Sequence, residues 1–472
     1  MAIPNVLAHR YASPAMADLW SPEAKVVAER ELWIAVLEAQ AELGVAVPDG
    51  AIAAYRAVVD RVDLDSIAAR ERVTRHDVKA RIEEFNALAG AEHIHKALTS
   101  RDLTENVEQV QVRRSLALVR DKAVAALVRL AARAEQYRDL TIAGRSHNVP
   151  AQATTLGKRF ATAGEELLIA VDRVEDLLGR YPLRGLKGPV GTQADLVDLL
   201  GSAEAVDELE ARVAERLGFA RVAGSVGQVY PRSLDFDAVT ALAQLVSGPA
   251  NLATTIRLMA GADLATEGFA EGQVGSSAMP HKMNARSSER ISGFVAILSG
   301  HVAMATSLLG NQWNEGDVSC SVVRRVVLPD AAFTADGAFE TFLTVLDEFG
   351  AYPAVIAREL DTYLPFLATA RLLTAAVRAG AGREQAHAAL RRHAIAAARH
   401  LREAPDGHNP FLAEVAADPD LPLDEATVAE TVADPASFTG RAAEQVDAFT
   451  GRVADLARRF PEASAYAPGN IL

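Results

Sequence analysis

The sequence predicts an all-α protein, and three observations support that fold class. Hydrophobic residues make up 50% of the 472 residues, while aromatic residues make up only 6%, a balance that favours packed helices over β-sandwiches. Apolar residues recur at spacings of three, four and seven, as they do on one face of a helix. No segment shows a convincing alternation of the kind that marks a strand. The chain is about three times as long as a typical domain, so we expect two or three domains.

The first long helix is predicted between Ser21 and Gly44. Residues Ser21–Glu23 supply a favourable N-cap residue, a first-turn proline and a first-turn acid. Trp33 and Leu37 fall on one face of the predicted helix, and Gly44 is a typical residue at a helix end.

A much longer helix is predicted between residues 103 and 139, because no glycine or proline occurs from Ala91 to Ala143. A helix of that length measures about 55 Å and predicts an elongated bundle. Its wide apolar faces indicate that helices from other subunits complete the core. After Ala351 the periodicity shortens, which predicts a smaller helical region at the C-terminus. Further long helices are predicted at about 151–180, 236–262, 288–312 and 328–349.

Charge and cysteine content exclude several classes of function. The 48 Lys plus Arg and 62 Asp plus Glu residues give a formal charge of −14, which argues against nucleic-acid binding and against an anionic membrane surface as partner. Cys320 is the single cysteine, so internal disulfides and multi-cysteine metal sites are excluded. Neither a membrane span nor a signal peptide is apparent. We therefore expect a cytoplasmic protein.

Two glycine-containing segments interrupt the helical pattern, at 185–192 and 271–284. In the second, Ser276 and Ser277 offer hydroxyl groups, and exposed backbone amides in such a loop can bind an anion. Neither a phosphate-binding P-loop nor a dinucleotide fingerprint is present. From the loop alone, a plain solvent-exposed connector is an equally good interpretation.

Three histidines lie in polar surroundings, at His76, His95 and His147. Each of them alone is compatible with a structural or surface role. His93 and His95 beside Glu92 suggest a metal site, but helical residues two apart point to different faces and no second ligand pair follows at a suitable spacing. The sequence therefore predicts no metal.

Together, these motifs resemble the aspartase/fumarase superfamily, whose shared loop Gly-Ser-Ser-x-Met-Pro-x-Lys-x-Asn runs here from Gly275 to Asn284. Within that superfamily the chain resembles the adenylosuccinate lyases over nearly its whole length. The matching motifs, in order, are Arg10-Tyr11, Thr74–Asp77, Leu98–Asp102, Arg145–His147, Ser276–Lys282 and Arg324-Arg325.

The resemblance implies an activity and an architecture. The implied reaction eliminates fumarate from adenylosuccinate, and from an earlier succinyl-carboxamide intermediate of purine biosynthesis, with no cofactor. Such chemistry needs a base, an acid and fixed positive dipoles. The implied architecture is a homotetramer with active sites shared between subunits. The implied domains are an N-terminal helical domain (1–105), a central long-helix bundle (106–350) with a catalytic loop (271–285), and a C-terminal helical domain (351–472).

The resemblance also implies the catalytic residues. Ser276 is the implied base, and it needs a lowered pKa, for which Lys282 and the loop amides are available. His147 is the implied general acid, since an unperturbed histidine pKa of about 6.5 suits proton delivery near neutral pH. Glu289 aligns with the acidic partner of that histidine, although it also suits the first turn of a helix.

An anionic nucleotide substrate requires several cationic and polar donors to converge. His76 matches a position that contacts the substrate phosphate or the catalytic acid. The other implied substrate-binding residues are Arg10, Tyr11, Arg75, Asp77, His95, Thr99, Ser100, Asp102, Gln228, Met279, Asn284, Arg290, Ser321 and Arg325.

The sequence departs from the family pattern at four positions. Ala285 replaces a proline after the loop, and Ala97 and Asn148 replace glycines near two of the histidines. Gly316 stands where the family commonly has an arginine. The last change removes a cation from the substrate site, and Arg324 or another group is expected to compensate for it.

Two other classes of function stay open at this stage. Argininosuccinate lyases and carboxymuconate cycloisomerases share the fold, but the former typically carry glutamine at the position of His281, and neither is expected to require Arg10-Tyr11 or Arg75–Asp77. A non-catalytic helical scaffold protein would be expected to have lost one of the proposed catalytic groups. Ser276, Lys282 and His147 are all present.

Overall fold

The computed structural model describes residues 4–268, 278–279, 281–404 and 408–469. Within them helices predominate and the strands form two small antiparallel sheets, which confirms the all-α prediction. The elements are α1 Val6–Arg10, α2 Pro14–Leu19, α3 Pro22–Glu42, α4 Ala51–Arg56, α5 Leu64–Thr74, α6 Asp77–Ala89, α7 Ser100–Gln136, β1 Thr141–Ser146, β2 Val149–Thr155, α8 Leu156–Arg180, α9 Ala194–Leu200, α10 Ala203–Arg216, α11 Ser233–Leu245, α12 Ser247–Gly261, β3 Ala265–Thr266, α13 Arg286–Thr306, α14 Cys320–Glu348, β4 Gly350–Ala351, α15 Pro353–Leu367, α16 Thr369–Arg378, α17 Arg383–Glu403, α18 Phe411–Ala416, α19 Glu425–Val432, a 3-10 helix Pro435–Phe438, α20 Ala442–Arg459 and α21 Pro461–Ser464.

The long helix predicted from residue 103 is α7, a single helix of 37 residues. It begins with a capping box in which Asp102 accepts a hydrogen bond from the backbone N–H of Thr99 at 2.8 Å. Its middle, residues 123–127, is fully buried between α8, α14 and α20. At 1.5 Å per residue α7 spans about 55 Å, so it sets the length of the bundle.

Two other helical predictions hold with changed boundaries. Helix α3 begins after Ser21, whose hydroxyl accepts from the backbone N–H of Ala24 at 3.1 Å. The segment predicted as one helix over 236–262 is two helices, α11 and α12, which meet at Val246. Pro249 lies in the first turn of α12, where its lack of an N–H group prevents the hydrogen bonding of α11 from continuing.

The expectation that no strand would occur is wrong at residues 141–155, where β1 and β2 form an antiparallel hairpin. His147 and Asn148 form its two-residue turn, both with positive φ (52° and 60°), as a tight hairpin turn requires. Gly144 hides the strand pattern in the sequence, yet the pairing needs it. A Cβ at this position would lie 2.6 Å from the carbonyl oxygen of Gln152.

The buried side chains form two large clusters. The main core joins α3, α7, α8 and α11–α14, and the C-terminal helix α20 returns to it through residues such as Phe449. Gly164 of α8 lies directly under the Phe449 ring, where a Cβ would come within 2.1 Å. A second core, around Leu372 and Phe411, lies within residues 368–428.

The domain boundaries at residues 105 and 350 stay predictions. None of the helices in the described ranges combines the length and apolar character needed to cross a membrane.

Candidate active site

The predicted site residues with described positions fall into three groups within one chain. The α7 group surrounds the start of helix α7. The hairpin group occupies the turn between β1 and β2, and the α13 group surrounds the start of helix α13. Ser276 lies outside the described residues, and of the predicted catalytic loop only residues 278–279 and 281–285 are described.

The α7 group brings together two motifs that are distant in sequence. His76 caps helix α6, because its Nδ1 accepts a hydrogen bond from the backbone N–H of Lys79 at 3.3 Å. The other ring nitrogen, Nε2, lies 3.4 Å from the hydroxyl of Ser100, the first residue of α7. Arg75 and Asp77 flank this histidine, and Asp77 pairs with Arg81 at 2.9 Å. The 74–77 and 98–102 motifs therefore meet, as expected of parts of one site.

His95 lies beside the same helix start and is held by a tryptophan. The indole Nε1 of Trp33 donates a hydrogen bond to His95 Nδ1 at 3.0 Å. Burial lowers the pKa of His95 to about 4, against the opposing effect of the Asp102 carboxylate. His95 is therefore neutral at neutral pH.

The Asp102 carboxylate is engaged by partners from its own chain. Its buried carboxylate accepts hydrogen bonds from the backbone N–H groups of Thr99, Lys187 and Gly188, at 2.8, 2.8 and 3.1 Å, and pairs with Arg184. These contacts fasten the glycine-containing segment 185–192 onto the start of α7. The predicted contact of Asp102 with substrate stays a prediction.

The hypothesis that Arg324 replaces the arginine missing at position 316 is wrong. Its guanidinium is buried and donates to Asp235 at 2.7 Å, to Glu108 at 2.6 Å and to Tyr230. Because these partners engage all three of its nitrogens, Arg324 stabilises the bundle and does not face a ligand.

Sequence reasoning missed Arg101, which lies next to Ser100 in the predicted motif. Its guanidinium donates to the hydroxyl of Ser321 at 3.0 Å and to Glu105 at 3.0 Å, and its side chain keeps 15% of its surface exposed. Ser321 lies in the first turn of helix α14, and its hydrogen bond with Arg101 places it in the α7 group.

Gln228 and Arg325 are two further residues predicted to bind substrate. The backbone N–H of Gln228 donates to the carbonyl of Glu315 at 2.7 Å, and Arg325 is exposed on α14. A Cβ at Gly316 would lie 3.1 Å from that of Gln228, so the segment carrying Gly316 packs closely against Gln228.

The hairpin group presents His147 to solvent on a tethered turn. His147 is exposed, and its neighbour Arg145 donates to the carbonyl of Asn148 at 3.1 Å and pairs with Glu359 of α15. The guanidinium of Arg145 also lies 5.9 Å from the ring centre of Tyr363. The His147 imidazole therefore projects from a short turn that the contacts of Arg145 hold in place.

The α13 group lines a cavity of about 910 Å³, which includes Lys282, Asn284, Glu289 and Arg257. Glu289 is exposed in the first turn of α13. Met279, in the described part of the loop, is also exposed. An adjacent cavity of about 530 Å³ shares Arg257 and reaches the hairpin. The α13 and hairpin groups are therefore neighbours.

A carboxylate that sequence reasoning missed caps helix α13. Glu267 is buried and accepts from the backbone N–H groups of Ser287 and Ser288 at 2.7 and 2.8 Å. A carboxylate at a helix N-terminus is favourable because it satisfies unpaired donors there. It fixes the helix turn that presents Glu289.

Arg10, Tyr11 and Arg290 converge beside the same helix. The guanidinium groups of Arg10 and Arg290 lie 5.9 and 5.7 Å from the ring centre of Tyr11, and that ring packs edge-on against Phe294 at 5.2 Å. Burial lowers the pKa of Arg290, and neighbouring Arg10 adds to that effect.

The α7 group lies far from the other two groups within one chain. Ser100 and the hairpin stand at opposite ends of α7, whose length is about 55 Å. Along α14, Ser321 precedes Gly337, against which Tyr11 packs, by 16 residues or about 24 Å. None of the cavities described here contains residues from both ends. In the described part of the chain, no three His, Cys, Asp or Glu side chains converge as metal ligands would.

Comparisons with known proteins agree with these motifs. The family model described as lyase matches residues 13–300, and the model described as adenylosuccinate lyase C-terminus matches residues 365–449.

The adenylosuccinate lyase of Saccharomyces cerevisiae is 35% identical over 94% of this chain and 93% of its own length. That of Schistosoma mansoni is 33% identical over 96% and 95%. The crystal structure of a 3-carboxy-cis,cis-muconate lactonizing enzyme from Pseudomonas putida matches with a TM-score of 0.82, covering 97% of this chain and 100% of that one at 20% identity. At that identity the structural match shows the fold alone.

Proposed function

The chain belongs to the adenylosuccinate lyase family of the aspartase/fumarase superfamily, and we propose that it eliminates fumarate from two substrates of purine biosynthesis. One is adenylosuccinate, which gives AMP, and the other is the succinyl-aminoimidazole carboxamide ribotide, which gives the free carboxamide ribotide. The observation that carries this proposal is the 35% identity to an adenylosuccinate lyase over nearly the full length of both proteins.

The proposed base is Ser276, and the proposed electrostatic support comes from the α13 group. Removal of a proton next to a carboxylate builds negative charge, which needs preorganised positive groups. Lys282 and Arg257 line the same cavity, and both carry the required charge. Lys282 also follows Ser276 closely in sequence, so it is the side chain best suited to favour the serine alkoxide.

The proposed acid is His147, with Glu289 as its acidic partner. His147 is exposed on the braced hairpin turn, and its imidazole is accessible to a substrate as far as the described residues are concerned. A carboxylate next to an imidazole favours the imidazolium form and fixes its orientation, so Glu289 would prepare His147 to protonate the departing nitrogen.

The α7 group is the proposed binding surface for the anionic parts of the substrate. His76, Ser100, Ser321 and Arg101 offer donors around the first turn of α7, and an N-terminal helix turn favours negative charge. Arg101 contributes a guanidinium close to the segment that carries Gly316. Arg10, Tyr11 and Arg290 supply a second set of donors beside α13.

The separation of the two ends supports the proposal of a homotetramer with shared active sites. The α7 group and the hairpin lie at opposite ends of α7 within one chain, and in the proposed assembly another subunit supplies the α7 group. Large apolar side chains lie exposed along the bundle helices, as expected of surfaces that other copies cover. Examples are Ile169, Leu258, Ile297, Val322 and Val326. We place this assembly in the cytoplasm, in keeping with a single, free cysteine.

Ultraviolet absorbance tests the proposed substrates directly. We expect turnover with adenylosuccinate and with the succinyl-carboxamide ribotide, and release of one fumarate per molecule consumed. Argininosuccinate and carboxymuconate, offered separately, should not react. Turnover of argininosuccinate or of carboxymuconate, or no turnover of any of the four compounds, would contradict the proposal.

Mixing two inactive variants tests the sharing of active sites. His76→Ala and His147→Ala proteins, dissociated together and reassembled, should regain part of the wild-type activity, because some sites then combine an intact His76 of one subunit with an intact His147 of another. Each variant carried through the same procedure alone is the control. No recovery in reassembled mixed oligomers would show that both residues act from one chain.

A further inference from the structure

The hydrogen bond between Trp33 and His95 determines where the imidazole carries its proton. An indole N–H can only donate, and Trp33 Nε1 lies 3.0 Å from His95 Nδ1. Nδ1 is therefore the unprotonated acceptor, and the neutral ring has its proton on Nε2. A cationic ring would carry hydrogens on both nitrogens and would have to give up this bond.

Packing holds both rings in this arrangement. Trp33 is 1% exposed, with the Phe85 ring stacked at 6.2 Å and the His95 ring edge-on at 6.0 Å. The backbone of His95 has a φ of 64° and that of Ala97 a φ of 55°. Such conformations are uncommon for residues with a side chain, and they persist where the surroundings fix them.

The charged groups around His95 do not favour a second proton. Burial lowers its pKa most, and His76 and Lys79 on the side of α6 lower it further. Asp102 on α7 acts in the opposite direction, but its carboxylate is already paired with Arg184 and three backbone N–H groups.

We propose that Trp33 is a positioning residue that keeps His95 in the neutral Nε2–H form, so that His95 donates a hydrogen bond to an anionic oxygen of the substrate and delivers no proton. The inference rests on the proposed function, in which His95 contacts the substrate. It goes further by assigning different roles to two histidines. His95 donates a hydrogen bond to the substrate, and His147 delivers the proton. It also assigns a role to a buried residue, Trp33, that touches no substrate.

Nitrogen NMR of the ligand-free protein tests the protonation state without reference to activity. In protein labelled with 15N-histidine, the His95 signals, assigned by their loss in His95→Asn, should show protonated Nε2 and unprotonated Nδ1 unchanged from pH 5.5 to 8. A protonated Nδ1, or a cationic ring at pH 6, would overturn the inference whatever the substrate.

A conservative substitution tests the consequence for the reaction. Trp33→Phe keeps an aromatic ring but removes the N–H, so His95 can adopt either tautomer and can be protonated more readily. We expect KM to rise about three- to tenfold, because the ring then carries its proton on Nδ1 part of the time, with kcat within about threefold of wild type.

Trp20→Phe is the matched control, since Trp20 also donates its indole N–H inside the protein, to Ser115 Oγ at 2.9 Å. It should lower stability without a change in KM. If the two variants behave alike, Trp33 is merely structural and the inference is wrong.

The two measurements separate failure of this inference from failure of the proposed function. A wild-type NMR spectrum as expected, with an unchanged KM in Trp33→Phe and in His95→Asn, would overturn the substrate contact of His95. An altered KM in His95→Asn, with a protonated Nδ1 in the wild-type spectrum, would keep that contact and overturn the role of Trp33.

Discussion

The two ends of the bundle carry functional residues in opposite ways. At the α7 end, several charged side chains are buried in ion pairs: Asp102 with Arg184, and Glu105 with Arg232 at 2.8 Å. At the opposite end, His147 and Glu289 are exposed. The α7 end thus pairs its buried charges within a single chain. The opposite end exposes reactive groups on the β1–β2 turn and on the first turn of α13.

This difference follows from the cost of burying charge. A buried ion needs a partner and hydrogen bonds, or the desolvation penalty is not offset. The α7 end meets that requirement with its own residues, so its geometry is fixed before any substrate arrives. The exposed end can leave its groups hydrated until substrate and a neighbouring subunit surround them. We therefore expect substitutions at the exposed end to alter the reaction, and substitutions at the buried end to alter stability first.

The largest effect is expected from His147→Gln, which removes the proposed acid and leaves the fold unchanged. Turnover should fall at least about a hundredfold, since general acid catalysis typically contributes that much or more. The thermal midpoint should stay near that of wild type, because His147 is exposed. Steady-state rates and thermal unfolding of the same preparation measure both quantities.

His387→Gln, which changes an exposed histidine of α17, is the control for that variant and should retain normal rates. A His147→Gln enzyme with near-normal turnover would show that another group protonates the nitrogen.

Asp102→Asn tests the buried end. The amide that replaces the carboxylate oxygen cannot accept every hydrogen bond from Thr99, Lys187 and Gly188, and it leaves Arg184 buried without its charge partner. We expect the free energy of unfolding to fall by about 3 kcal/mol or more, as read from chemical denaturation. Asp447→Asn, which breaks an exposed pair with Arg138, should change it little. Equal effects in the two variants would remove the contrast between buried and exposed charges.

Much of the fold could be predicted from the sequence because it depends on local patterns. The absence of glycine and proline foretold α7, and the Ser21 cap foretold the start of α3. The β1–β2 hairpin could not be predicted in this way. Its strands are short, and Gly144 suggests a turn although the strand pairing requires it. A turn of His and Asn also lacks the glycine that commonly announces a hairpin.

The site was predictable as a set of motifs, while its separation into groups was not. Periodicity gives no measure of the distance between His76 and His147, which depends on the course of the whole chain along α7. Charge pairing was also hidden, since Arg324 and Arg101 look alike in sequence. Only the fold shows that the first is enclosed by Asp235, Glu108 and Tyr230. Trp33 was predicted to lie on one face of the first long helix, but its hydrogen bond to His95 could be seen only in the structure.

A pH effect on stability is expected from Glu29, which lies beneath the α7 group. It is fully buried on α3 and pairs with Arg81 at 2.7 Å. Burial outweighs that pairing and raises its pKa from 4.5 to about 7. Between these values the folded state holds a proton that the unfolded state has released, so this contribution to stability is complete below pH 4.5 and is lost as pH rises through 7. The loss is on the order of 3 kcal/mol.

Glu29→Gln should remove that loss, so the decline in thermal midpoint between pH 5 and pH 8 should be smaller than in wild type. Glu31→Gln changes an exposed carboxylate on the same helix and should follow the wild-type curve. Parallel curves for all three proteins would show that Glu29 does not bind a proton on folding in this range.

The smallest effect is expected from Arg101→Gln. This variant tests most directly the division between a buried end that affects stability and an exposed end that affects the reaction. Arg101 belongs to the buried end but keeps part of its surface exposed beside Ser321, so we expect it to contact substrate as well as Glu105. KM should rise about tenfold, the usual effect of losing one charge-assisted hydrogen bond, with kcat nearly unchanged.

Arg101→Lys should recover part of the loss, since it keeps the charge without the planar fork. Arg180→Gln, which alters exposed pairs with Asp176 and Asp237, should leave KM as it is. A lower thermal midpoint with normal KM in Arg101→Gln would show that this arginine has a structural role only.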